Sequence, residues 1–235
     1  MGVVAAQKGI KRAMTITWNY AAGTESTKGF TEGFEKGGGK VIKDLTLPFP
    51  NVEFQALLTE IAAQKPDAVY AFFAGGGAVK FVKDYAAAGL SKTIPLVGPG
   101  FLTDGTLEAQ GDAAQGMLTT LHYADNLDTP RNNSFRKNFA LAYKTNADVY
   151  AVQGYDAAQL LQAGLAAAKG DLAKRDVITA AMHKATIDSP RGKFTLSPAG
   201  NPVQDIYLRE VKGKYNEMRS VAVKHLADPA RGCRL

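Results

Sequence analysis

Aromatic residues stand at the ends of several predicted strands. Trp18, Asn19 and Tyr20 close or follow the run Ala13–Trp18, Phe72 and Phe73 close the run Ala68–Phe73, and Phe101 follows the turn Gly98-Pro99-Gly100. In an open parallel α/β sheet the carboxyl ends of the strands line the ligand crevice, so these residues would meet along one edge. Rings gathered there would stack on a planar apolar group. Trp18, Phe72 and Phe73 read equally well as core aromatics, which leaves the loop residues Tyr20 and Phe101 as the better-placed pair.

Other chemistries lack their parts. Gly75-Gly76-Gly77 opens a predicted helix and could present backbone N–H groups to an anion, but it has no spaced third glycine of a dinucleotide fingerprint. Gly39-Lys40 has Phe34 where a phosphate loop needs glycine and Val41 where it needs Ser or Thr. His122, His183 and His225 share no ligand spacing, and the single cysteine, Cys233, can form neither a metal cage nor an internal disulfide. No Gly-x-Ser-x-Gly elbow occurs, and nothing assembles a nucleophile, a base and an orienting acid. We therefore expect no enzyme, no cofactor and no metal.

Composition narrows the classes further. The chain has 235 residues, of which 46% are hydrophobic and 21% charged, as in a packed globular protein. Lys and Arg exceed Asp and Glu by 28 − 22 = 6, yet the basic residues are scattered and do not alternate with aromatics. Nucleic acid is not an expected partner. No apolar run reaches the 18 or so residues of a membrane span, and Met1–Gly9 is too short and polar for a secretory signal.

Positioning the rings falls to alternating elements. Strands are expected at Ala13–Trp18, Val41–Leu47, Ala68–Phe73, Ile94–Val97 and Met117–His122. Between the early strands lie helices, one over Ala21–Lys36 with Phe30 and Phe34 on one face, one carrying Phe54, Leu57, Leu58 and Ile61, and one from Gly75 to Gly89. That rhythm predicts an α/β fold with a doubly wound parallel sheet. After Tyr123 it changes. Asp125–Asn133 reads as a connector, followed by helices at Ser134–Lys144, Tyr150–Ala168 and Leu172–Ala185 and short strands at Lys193–Leu196, Val203–Val211 and Ser220–His225. Three successive helices without intervening strands should leave apolar surface open, a route to self-association.

Several stretches, in order, resemble the solute-binding proteins of ABC transporters, in the branch of the leucine/isoleucine/valine receptors. They are Lys11–Gly29, Gly38-Gly39-Lys40-Val41, Leu47-Pro48 with Phe54–Leu58, Lys65–Val69, Gly89-Leu90, Pro95–Gly98, Ser189–Phe194 and Asn201–Asp205. The resemblance implies the type I periplasmic-binding fold, two α/β lobes that close on a small ligand by hinge motion. It implies a periplasmic location and a membrane permease as partner. On it, residues 9–123 are the second lobe and 124–235 the return segment that completes the first, whose opening third has no counterpart, so the chain is expected to be a truncated or partial receptor. The residues it places at the ligand are Asn19, Tyr20, Ala74, Gly75, Phe101, Tyr150 and Tyr155. The amino-acid receptors carry an acid after the Gly-Pro turn, whereas Gly100 and Phe101 stand here. An unpaired ligand ammonium would be costly in such a site, so an aromatic carboxylate is expected over a free amino acid. A ligand sensor on the same fold and a branched-chain amino-acid receptor are the alternatives.

Overall fold

The computed structural model describes residues 1–230, so Cys233 lies outside the described residues. Two compact units make up the chain: Met1–Leu121 together with Tyr207–Ala222, and His122–Ile206 together with the residues from Val223 onward. The expected division fell between 123 and 124. The chain instead leaves the first unit after Leu121, and part of the tail returns to it as strand.

In the first unit β1 (Arg12–Trp18) lies between β2 (Lys40–Leu47) and β3 (Ala68–Phe72), with Ile16 opposite both Leu45 and Ala71. β4 (Leu96–Pro99) and, after the one-turn α5 (Leu107–Gln110), β5 (Leu118–Leu121) extend the sheet, and all four pairings are parallel. The parallel sheet expected from the strands near residues 13, 41, 68, 94 and 117 is therefore formed. β4 begins later than expected because a 3₁₀ turn at Leu90–Lys92 and Pro95 occupy the approach.

The alternation along β1 sorts the core. Met14, Ile16 and Trp18 face one side, where they pack with Phe54, Leu58 and Ile61 around α3 (Gln55–Gln64) and with Phe81, Val82 and Tyr85 of α4 (Gly75–Ala87). Ala13 faces the other, packed with Tyr70 and Val97 against Phe30 and Phe34 of α2 (Ala21–Lys36) and Ala5 of α1 (Gly2–Gln7). Near-continuous burial along β1 follows, because both faces of the sheet are covered. α1 was not anticipated: six residues give too little periodicity to register.

The returning tail adds β7 (Pro202–Lys212) antiparallel to β5, with Arg209 opposite Thr119, and β8 (Tyr215–Leu226) pairs with β7. The second unit holds α6 (Pro130–Tyr143), α7 (Val149–Ala167), α8 (Arg175–Lys184) and the two-residue β6 (Thr195–Leu196), which pairs antiparallel with the start of β7. α6 corrects the reading of 125–133 as connector throughout. Thr129 caps it by accepting the Asn132 N–H at 3.1 Å, and Pro130 occupies the first helical position, where a missing N–H costs nothing.

Candidate functional site

Five of the seven expected ligand residues follow the carboxyl ends of β1, β3 and β4. Asn19 is exposed, its N–H donating to the Leu47 carbonyl at 2.8 Å. Tyr20 is half-buried and extended at the N-cap of α2, and Ala74 is half-buried and extended at the N-cap of α4. Gly75 opens α4 with φ +55, a conformation side chains resist. Phe101 is half-buried in the 3₁₀ turn Gly100–Leu102 that follows β4. The other two belong to the second unit: Tyr150 is exposed in the first turn of α7, and Tyr155 packs its ring 5.1 Å from that of Phe135.

Tyr20 belongs to an aromatic corner with Trp18, Phe49, Phe72 and Phe73. Trp18, only 5% exposed, has its ring centroid 5.0 Å from Phe73 and 5.1 Å from Phe49, edge-on to both. Its indole N–H donates to the Asn51 carbonyl at 2.7 Å. Tyr20 lies 6.1 Å from Trp18 and 6.2 Å from Phe72, and stacks on Phe49 at 5.6 Å. Two glycines make room. A Cβ at Gly77 would collide with the Trp18 ring, and one at Gly23 would collide with Thr17 Oγ1 and the Trp18 carbonyl. Partial burial pushes the Tyr20 phenol above its ordinary pKa, so it stays a neutral donor at neutral pH.

Beside these rings, the first turns of α2 and α4 present backbone N–H groups that no carbonyl in the same helix can satisfy. Their partial positive charge suits a carboxylate. The corner can thus hold an apolar ring, and the helix starts can hold an anion.

The turn carrying Phe101 is fixed from below. Arg209, fully buried, reaches Asp104 at 2.6 Å and donates to Thr119 Oγ1 from Nε and Nη2 at 3.2 and 3.0 Å. Thr103 donates to Asn216 at 2.7 Å, and the Gln110 amide donates to the Leu102 carbonyl at 2.7 Å. A Cβ at Gly100 would sit 2.6 Å from Arg209 Nη2 and 2.8 Å from Leu121 Cβ. An acidic side chain at position 100 therefore has no room in this packing.

Sequence reasoning missed two of these residues. Phe49 is not among the residues expected at the ligand, although a large aromatic between Pro48 and Pro50 is itself a signal of a displayed ring. Arg209 gave no signal, because its partner Asp104 is 105 residues away.

In the second unit the Ser189–Phe194 stretch forms a polar knot. Asp156, 2% exposed, pairs with Arg191 at 2.8 Å and accepts from Ser189 Oγ at 2.8 Å, and the Arg191 guanidinium lies 4.0 Å over Phe194. Burial pushes the Asp156 carboxyl up and the Arg191 guanidinium down, each toward neutrality, while each partner pulls the other back. Among the described residues no group of three or more His, Cys, Asp or Glu is placed to hold a metal ion, and no helix is long and apolar enough to cross a membrane.

A profile of the periplasmic binding protein family matches residues 1–216. A Leu/Ile/Val-binding protein homolog of Brucella melitensis is 32% identical over 216 residues, covering 88% of this chain and 55% of that protein. A solute-binding protein of an ABC transporter from R. palustris, solved in complex with benzoate, is 55% identical with a TM-score of 0.95, covering 100% of this chain and 64% of that one. A second, from Rhodopseudomonas palustris BisB5 in complex with 3,4-dihydroxybenzoic acid, is 32% identical with a TM-score of 0.89, covering 98% and 65%. The chain thus spans between about half and two thirds of the length of these relatives.

Proposed function

Because the chain belongs to the periplasmic binding protein family, we propose that it serves as the solute-binding receptor of an ABC importer and takes a small aromatic carboxylate. The observation that carries this reading is the aromatic corner of Trp18, Tyr20, Phe49 and Phe72 set beside the starts of α2 and α4. It offers a ring a stacking surface and a carboxylate its N–H donors at one edge of one sheet.

Gly100 supports the same ligand class. With Arg209 and Leu121 filling the space beside its Cα, the turn brings no carboxylate to pair with a ligand ammonium. The 55% identical R. palustris protein is complexed with benzoate, which agrees. Asn19, Tyr20, Ala74, Gly75 and Phe101 are the proposed ligand residues of the first unit, and Tyr150 and Tyr155 those of the second. The receptor would act outside the cytoplasm, pass its ligand unchanged to a membrane permease and catalyse nothing.

Calorimetry on the intact gene product tests the proposal, with benzoate, 4-hydroxybenzoate and leucine as titrants. Saturable binding of the aromatic acids with leucine silent is expected, and the acids should be recovered unmodified. Tight leucine binding with both aromatic acids silent overturns the ligand class in favour of a branched-chain receptor.

A further inference from the structure

We propose that Phe49 is a specificity-determining residue of this site, the outer wall against which the ring of an aromatic acid stacks. The inference rests on the receptor reading above and gives one ring of its aromatic corner, at the end of β2, the role of selecting the ligand.

Phe49 is 60% exposed, while the other strongly exposed large hydrophobics of the first unit, Val3, Tyr215 and Val221, reach 39%, 42% and 39%. An isolated exposed phenylalanine needs no explanation. This one is held in place. The Pro48–Asn51 turn is closed by the Asn51 N–H donating to the Pro48 carbonyl at 2.8 Å, and Trp18 clamps the same turn through the Asn51 carbonyl at 2.7 Å. Asn51 Oδ1 accepts the Glu53 N–H at 2.7 Å, which fixes the exit of the turn. Trp18 is in turn seated by the missing side chain of Gly77.

The result is a ring displayed at the carboxyl end of β2, next to the ends of β1 and β3. Its plane lies 25° from that of Tyr20, so the two rings form one stacked pair rather than an edge contact. With Trp18 at its edge and Tyr20 stacked on it, Phe49 is still 60% exposed, so apolar area remains to be covered. A planar, apolar ligand ring is the group that such a surface recognises best, because offset stacking adds to simple area burial. An aliphatic ligand of equal size gains the area alone.

The experiment measures dissociation constants for benzoate and for cyclohexanecarboxylate in the wild type, F49A, F49L and F49W. The wild type should prefer benzoate. F49A and F49L should weaken benzoate about three- to tenfold and narrow its preference over cyclohexanecarboxylate, and F49W should restore both. The melting temperature of the unliganded variants should stay close to wild type, since the side chain is mostly outside the core. Benzoate binding and preference unchanged in F49A would overturn the role of Phe49 and leave the receptor reading standing. Equal weakening of both acids in F49A, with F49L restoring them, would reduce Phe49 to a support for Tyr20 and also overturn it. A wild type that binds leucine and neither ring acid overturns the receptor's ligand class and this inference together.

Discussion

At the scale of single residues, the buried pair of Arg209 and Asp104 offers the sharpest test. Both side chains are almost wholly removed from water, at 1% and 2% exposure, so each ion's lost hydration has to be offset by its partners, of which the other ion and Thr119 are two. Removing one partner strands a charge, an effect of about 3 to 5 kcal/mol, whereas removing both charges together costs far less. R209M alone should therefore lower stability strongly, and R209M/D104N should regain much of it, as read by urea titration. Equal losses in the single and double variants would show that the pair acts through shape and not charge. The rings at the strand ends were readable in the sequence because a ligand edge follows from strand order and each aromatic stands beside its own strand. The pair beneath them was not, since no local pattern links position 104 to position 209.

Among the elements, the start of the sheet carries a pH-sensitive fastening. The Asp67 carboxylate, just before β3, accepts the N–H groups of Lys11 and Arg12 at 3.0 and 2.8 Å, tying the entry of β1 to that of β3. Those backbone donors hold its pKa below the ordinary carboxylate value, with the Arg12 charge assisting. A depressed folded pKa means stability that is fully present above the unfolded value, about 3.9 for Asp, and lost as pH falls through the lower folded value. D67A should unfold at lower urea than wild type at neutral pH, and the gap between the two should close as pH drops from about 4 toward 2. A gap constant across that range would mean that the carboxylate's charge plays no part. Strand and helix order in residues 11–121 was legible because β1 alternates apolar residues with threonine, β3 is a continuous apolar run, and the helices between them show one buried stripe. The start of α6 was hidden by its own polarity: Thr129 and Pro130 are a helix entrance, but both are also turn formers, and the following Arg131, Asn132 and Asn133 supply no apolar stripe.

For the whole molecule, the uneven distribution of the core predicts how it unfolds. The first unit packs Met14, Ile16, Phe54, Phe73, Phe81 and Tyr85 at 0 or 1% exposure between sheet and helices. The second is thinner. Of the 19 residues of α7 only Val149, Val152, Asp156 and Gly164 are buried, and α8 buries none. Leu141, Tyr143, Leu161 and Leu172 stand 61%, 68%, 48% and 70% exposed, the open apolar surface expected of three helices in succession. Full burial of a large apolar side chain is worth about 1.5 to 3 kcal/mol, and these forgo half or more of it, so the second unit is the less stabilised by burial. Against this, β7 and β8 each run without a break from one unit into the other, which couples their unfolding. A coupling through two strands cannot supply the missing burial of three helices, so the second unit should lose its structure first. The chain carries its own reporter, because its single tryptophan, Trp18, is buried in the first unit. In a urea titration the far-ultraviolet circular dichroism, about half of whose helical residues lie in α6, α7 and α8, should begin to fall at a lower concentration than the Trp18 fluorescence changes. Coincident midpoints and slopes from the two probes would show the crossing strands strong enough to make the units one cooperative block, and the difference in burial would then not govern the order of unfolding.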